Sequence, residues 1–237
     1  VTCSASAGPA FEGSGTKWGM RATLGAIEKV QINDGQVTYQ TINKGRPRGI
    51  CGSGLIDCIH ELARNRIIGR DGKFDLSRND SRLILENEIP EYILAFPTET
   101  ETGQAVTITE TDIGNLIKSK GAVFAAVKSL VDYVGLSFSQ LDHIYLAGGF
   151  GSSIDVPKAI AIGLLPDIEV GRISYIGNSS LTGARMVLLS SHAFEASRMV
   201  ARRMTNIELS NYVPFMNEFI ASLFLPHTDD KLFPSVH

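Results

Sequence analysis

Glycine clusters mark the places where this sequence could do chemistry. Gly148, Gly149 and Gly151 surround Phe150, directly after Ile144–Ala147, an apolar run of β-favouring type that reads as a buried strand. Only a chain that needs positive φ or close backbone approach gains from such density. Asp155 is placed to cap a helix that follows, with Pro157 tolerated in its first turn. Strand, glycine turn and helix N-terminus together present free backbone N–H groups at the end of a sheet, where α/β proteins bind nucleotides and other anions. A turn that merely packs a strand against a helix has the same pattern, so the other stretches have to discriminate.

Two further turns share the type. Cys51-Gly52-Ser53-Gly54 opens an amphipathic run, Leu55 to Ile67, with Ile56, Ile59, Leu62 and Ala63 on one face, and can hold an anion in the same way. Asp57 in its first turn suits the helix dipole and needs no other role. Gly177 to Ala184, GNSSLTGA, is a small-residue turn before a helix from about Leu181 to Ser190. Residues 3 to 22 are mostly small, broken by Phe11, Glu12, Trp18 and Met20. Glu12 is open to two readings, a surface acid or a carboxylate in a polar cleft that faces phosphates through a metal ion or water.

The elements that must position these turns follow from periodicity. Ala26–Val30 and Gln36–Ile42 alternate around Asn33-Asp34-Gly35 and predict a hairpin. Arg70–Glu101, rich in charge and holding Pro90 and Pro97, reads as a surface excursion with short strands near Leu83–Leu85 and Tyr92–Ala95. After a strand end at Val106–Thr109, Thr109 and Asp112 have capping-box spacing for a long helix over 112–134, in which Gly121 suggests close packing. Helix Val156–Ile162 and strand Ile173–Ile176 continue an alternation expected of a largely parallel sheet. A helix to Met204, an edge strand at Ile207–Leu209, a last helix over Pro214–Leu225 and a loose tail from His227 complete the reading.

With 43% hydrophobic and 20% charged residues among 237, the chain can bury a core of one large or two small domains. A net charge of −3 gives no global pull towards nucleic acid or an anionic membrane. The basic runs Lys44–Arg48 and Arg198–Arg203 read as solvated faces. Cys3, Cys51 and Cys58 form no CxxC pair and lack the spacing of a zinc or iron–sulfur site, which suits reduced thiols in a cytoplasmic protein. No metal site is expected.

Four blocks now stand in order: CSASAGPAFEG at Cys3–Gly13, GICGSGLID at Gly49–Asp57, LAGGFG at Leu146–Gly151 and GNSSLTGA at Gly177–Ala184. Together with KSKGAVFAAV before the third and IGLLPD after it, they resemble the C-terminal ATPase region of the reductive activators of corrinoid proteins. Those proteins belong to the superfamily of acetate and sugar kinases, heat-shock chaperones and actin (ASKHA). The resemblance covers residues 3–225 and leaves 226–237 as a tail. It implies an α/β fold, an actin-like or ribonuclease H-like lobe with a mixed, largely parallel sheet flanked by helices.

For function, the resemblance implies the ATP-binding part of an activator that reduces Co(II) corrinoid to Co(I), with ATP and Mg²⁺ as cofactors and a corrinoid protein as partner. It implies neither nucleic acid nor membrane as a partner and leaves a homodimer open. Gly148, Gly149, Phe150 and Gly151 correspond to the adenosine motif, Asn178 and Ser179 to the turn beside it, and Gly52, Ser53 and Gly54, with the stretch holding Glu12, to the surroundings of the phosphate cleft. Two departures qualify this. Relatives carry an N-terminal ferredoxin-like domain whose cysteine set is missing here, and neither D-x-G phosphate hairpin of the superfamily is present, the second being expected just before Val1. The sequence therefore reads as most of one lobe, inactive alone. A small-molecule kinase of the same superfamily and a docking module without nucleotide turnover are the alternatives.

Overall fold

The computed structural model describes residues 1–149 and 153–236. Phe150 and Gly151, two of the expected nucleotide contacts, lie outside the described residues.

Strands β1 (Ala26–Asn33) and β2 (Gln36–Thr41) form the expected antiparallel hairpin. Asp34 and Gly35 turn the corner at φ 48° and 75°, the left-handed pair that matches strand twist in a two-residue loop. The short β3 (Gly49–Ile50) pairs parallel with the start of β1 and makes it the central strand. Helix α1 (Gly52–Arg64) lies on this sheet and is buried along most of its length. It starts at Gly52 rather than Leu55, so the glycines form its first turn instead of a loop before it.

A second sheet, β4 (Leu83–Glu86), β5 (Ile89–Ala95) and β6 (Val106–Thr109), is antiparallel throughout. Its strands lie where the sequence puts them, and most of residues 75–90 are exposed, but most of β5 is buried. Tyr92 and Leu94 are fully buried in the common core, because β5 packs on the helix that follows β6. That helix, α2 (Glu110–Tyr133), opens with the expected capping box. Asp112 N–H donates to Thr109 Oγ1 at 3.0 Å, and Thr109 N–H donates to Asp112 Oδ2 at 3.0 Å.

The small-residue segment is fastened to this sheet by Lys17. Its ammonium lies 2.8 and 2.9 Å from the two oxygens of buried Glu91, which also accepts from Thr107 Oγ1 at 2.7 Å. Lys17 N–H donates to Asp112 as well.

Strands β7 (Ile144–Leu146) and β8 (Ile173–Tyr175) pair in parallel, with α3 (Val156–Ala161) between them in sequence. Helices α4 (Ser179–Leu189) and α5 (Ser191–Arg203) follow and bury no residue. The expectation of a buried β7 fails for a related reason. Tyr145 is 62% exposed, since only one neighbouring strand and little else among the described residues cover this pair. The mixed α/β class holds, but the parallel share is smaller than expected. Among the described residues three small sheets replace one large one, and two of five strand pairings are parallel.

Helix α6 (Val213–Ala221) packs on α2 at Gly121, where a side-chain carbon would approach Ser222 O to 3.1 Å. The edge strand expected at 207–209 is a single bridge, Asn206 to Thr2, followed by a 3-10 turn. The loose tail is also corrected. Phe233 is fully buried with its ring 5.2 Å from that of Phe124, and Ser235 donates twice to Asp167, at 2.7 and 2.8 Å. A single large aromatic residue is enough to turn a polar tail into part of the core. Among the described residues no helix is long and apolar enough to cross a membrane.

Candidate functional site

Two of the glycine turns meet. β7 and β8 run side by side and end at the same edge, so the turns that follow them are neighbours. Gly148 N–H donates to Gly177 O at 2.9 Å, and Ile176 N–H donates to Leu146 O at 2.9 Å. Gly148 has φ 106° and Gly177 φ 74°, which side-chain-bearing residues rarely adopt. A Cβ built on Gly148, Gly149 or Gly177 would find no atom within 4 Å. Packing of the described residues does not demand glycine there. Asn178 caps α4 by accepting Leu181 N–H at 3.0 Å, and Ser179 opens that helix, exposed.

The turn at Cys51–Gly54 is of another kind. Gly52, Ser53 and Gly54 are buried, and a Cβ on Gly54 would stand 2.3 Å from Ile27 O. Glycine here lets α1 lie against β1. Ser53 alone of the three lines a polar cleft of about 540 Å³. The cleft is walled by β1 at Glu28–Gln31, β2 at Thr38–Gln40, Asp57 of α1, and the 153–155 arm with Lys158 of α3.

Asp57 and Lys158 organise that cleft. The Lys158 ammonium lies 2.7 Å from Asp57 Oδ2 and 3.9 Å from Glu61 Oε1, and donates to Val30 O at 3.3 Å. Asp57 also accepts Val30 N–H at 3.3 Å, and Glu61 accepts Ile32 N–H at 3.0 Å. Arg64 and Asn65 donate to Ile32 O at 2.7 and 3.0 Å. Where β3 stops, side chains of α1 and α3 thus take the place of a strand along β1. Burial raises the Asp57 carboxyl above the usual range although Lys158 opposes it. Burial also disfavours the Glu61 anion, but Arg64 and the Ile32 N–H outweigh it and hold this carboxyl below the usual range. Asp155 caps α3 through Lys158 N–H at 3.1 Å, so one turn of helix fixes both the arm and the ammonium.

The expected site is thus only partly assembled by the described residues. Gly148 and Gly149 adjoin Gly177, Asn178 and Ser179, while Ser53 lies in the cleft whose opposite wall resumes at Ser153. Gly54 serves the α1–β1 contact, and Gly52 is buried in the first turn of α1. Glu12 sits exposed in the 3-10 turn Ala10–Glu12, and its carboxylate makes no hydrogen bond or ion pair among the described residues. No cluster of metal-ligating side chains occurs among the described residues.

Sequence reasoning gave Asp57 only a place at the helix dipole, whereas it lies beyond the first turn of α1, and it missed Lys158. The available signal was the pair Asp57 and Glu61, two acids four apart beside an apolar helix face, which demand a cation once buried.

Comparison with known proteins bears on the family and the fold. The family model for the C-terminal domain of RACo, the ASKHA domain, matches residues 1–237. The solved structure of a reductive activator for corrinoid,iron-sulfur protein superposes on the whole chain with TM-score 0.93 at 49% identity, over 38% of its own length. Corrinoid activation enzyme RamQ of Eubacterium limosum is 36% identical over 92% of this chain and 38% of its own. The [Co(II) methylated amine-specific corrinoid protein] reductase of Methanosarcina barkeri is 26% identical over 94% and 42%. The chain therefore spans about two fifths of the relatives it matches. It belongs to the family of C-terminal ASKHA domains of RACo.

Proposed function

We propose that this chain is the ATP-binding part of a reductive activator that returns Co(II) corrinoid to Co(I) on a corrinoid protein. The observation that carries the reading is the open glycine turn at Gly148–Gly149. It ends a parallel strand at the carboxyl edge of its sheet, where nucleotides bind α/β folds, and its glycines serve no packing need. Gly148 and Gly149 let the backbone lie against the nucleotide. Asn178 and Ser179 flank it at the start of α4, whose N-terminus favours an anion. Ser53, Asp57 and Lys158 offer hydroxyl, carboxylate and ammonium groups in the adjacent cleft, a donor and acceptor set that fits a polyhydroxylated, anionic ligand.

ATP, when bound with Mg²⁺, supplies the phosphoryl cleavage that drives a cycle of conformations. The residues of this chain hold and orient it rather than carry electrons. The iron–sulfur chemistry of the reading belongs to a separate domain. Phosphoryl transfer depends on charge stabilisation around the γ-phosphate, for which this chain has no hairpin of its own, so residues 1–237 alone should bind nucleotide weakly and release phosphate at the background rate. The setting is cytoplasmic, and a homodimer remains compatible with it.

A chimera provides the test. The C-terminal domain of the 49% identical activator is exchanged for this chain, and ATP-dependent reduction of the corrinoid protein is followed by its visible spectrum. Reduction by the chimera that is lost in its Gly149→Val form supports the assignment. Equal nucleotide affinity of the two forms, measured by calorimetry on folded protein, overturns it.

A further inference from the structure

A cavity of about 760 Å³ opens at the other end of the α1–α3 contact, away from the cleft. Interiors are packed as densely as organic crystals, and a void this large falls in the size range of pockets that enclose small molecules. Its walls are chiefly aliphatic, with Ile68, Ile160, Ile162 and Leu225 each at most 5% exposed. Residues 225–236 close one side of it, pinned by Ser235 on Asp167 and by Arg70, which donates to Leu225 O at 3.1 Å.

The charges on the rim are already engaged. Arg64 lies 2.7 Å from Glu61 and Arg70 2.6 Å from Asp230. Asp167 is taken by Ser235, and Glu169 lies 3.6 Å from Arg172. What is left is one imidazole. His60 Nδ1 is 3.3 Å from Glu61 Oε1. A carboxylate accepts only, so Nδ1 carries the proton and Nε2 is left as an acceptor with no partner among the described residues. Burial keeps this ring below its ordinary pKa and hence neutral, against the pull of Glu61.

We propose that this cavity is a binding site for an uncharged, ring-sized apolar molecule with one hydrogen-bond donor, which it gives to His60 Nε2. The site stands apart from the nucleotide reading and does not rest on it. An anionic ligand would find no unspent counter-charge, both oxygens of Asp167 already accept from Ser235, and a purely apolar ligand would leave Nε2 unpaired and desolvated.

The probes are 2-naphthol, which carries the donor, and 2-methoxynaphthalene, which lacks it, titrated into residues 1–237 with calorimetry and imidazole NMR signals as readouts. Saturable binding of 2-naphthol with a shift at His60, and about tenfold weaker binding of the ether, are expected for one hydrogen bond. His60→Leu should erase that preference while leaving the ether bound, and Ala161→Trp, which narrows the cavity, should weaken both. No saturable binding of 2-naphthol overturns the site. Binding indifferent to Ala161→Trp does so too, and equal affinity for the two probes overturns the donor assignment. Should Ala161→Trp fail to fold, the His60→Leu comparison decides alone.

Discussion

The glycine turns at Cys51–Gly54 and at Gly148–Gly149 look alike in sequence and differ in use. At Gly54 the hydrogen in place of a side chain is filled space, because Ile27 O stands 2.3 Å from where Cβ would be. At Gly148 and Gly149 no atom of the described residues comes within 4 Å of the same position. One turn has spent its smallness on packing α1 against β1. The other keeps it, at a sheet edge beside a second open turn. A glycine motif therefore reports close approach, and only the surroundings say whether the approaching body is the protein itself or a ligand. The Asp57–Lys158 pair joins the two regions, since it ties the helix after the first turn to the helix after the second.

The largest expected effect comes from cutting that tie. Asp57→Ala leaves a Lys158 ammonium at low exposure without its counter-ion and Val30 N–H without its acceptor. Urea unfolding should show a loss of about 3 kcal/mol. A loss below 1 kcal/mol would mean that the pair does not hold the regions together. Gly54→Ala comes next, with about 2–3 kcal/mol lost by overpacking against Ile27 O, the signature of a packing glycine.

Lys120 gives a control away from both turns. It is buried against the carbonyls of Phe224 and Pro226, and burial pushes its pKa down to about 7. The unfolded chain holds that proton up to about pH 10.4, so between these values the unfolded state binds more protons and stability rises with pH. The slope should approach 1.4 kcal/mol per pH unit at most, a contribution that Lys120→Met removes. A pH-independent difference between the two proteins would show that the folded ammonium keeps its proton.

The smallest effect on stability is expected at Gly149→Val, within about 0.5 kcal/mol, because the space is open and its φ is not left-handed. Its effect should fall on nucleotide affinity. Loss of more than about 1 kcal/mol of stability would make this turn a packing turn after all and erase the contrast with Gly54.

Much of the local structure was legible in the sequence, for reasons that are themselves local. The Asn33-Asp34-Gly35 turn, the Thr109/Asp112 box, the Asp155 cap and the Gly121 contact each depend on residues a few positions apart or on a missing side chain. The failures in burial were long-range. Tyr145 has β-favouring neighbours, but its burial depends on what lies across the sheet. Tyr92 and Leu94 sit among charges in sequence and in the core in space. Phe233 packs on Phe124, more than a hundred positions away. For the site, composition drew attention to the right turns but could not rank them, and it passed over Lys158, whose partner lies on another helix. The four blocks in order carried the family where no single block would have.

One further consequence follows from the side chains that line β1. A strand with unpaired N–H and C=O groups invites another strand, from its own chain or a second copy. Here the groups of Val30 and Ile32 are occupied by Asp57, Glu61, Arg64, Asn65 and Lys158, none of which can extend a ladder. Acid weakens this guard, since burial holds the Asp57 carboxyl above its usual range and its protonation takes the charge from the acceptor of Val30 N–H. Self-association of the folded protein in acid would then begin at Val30.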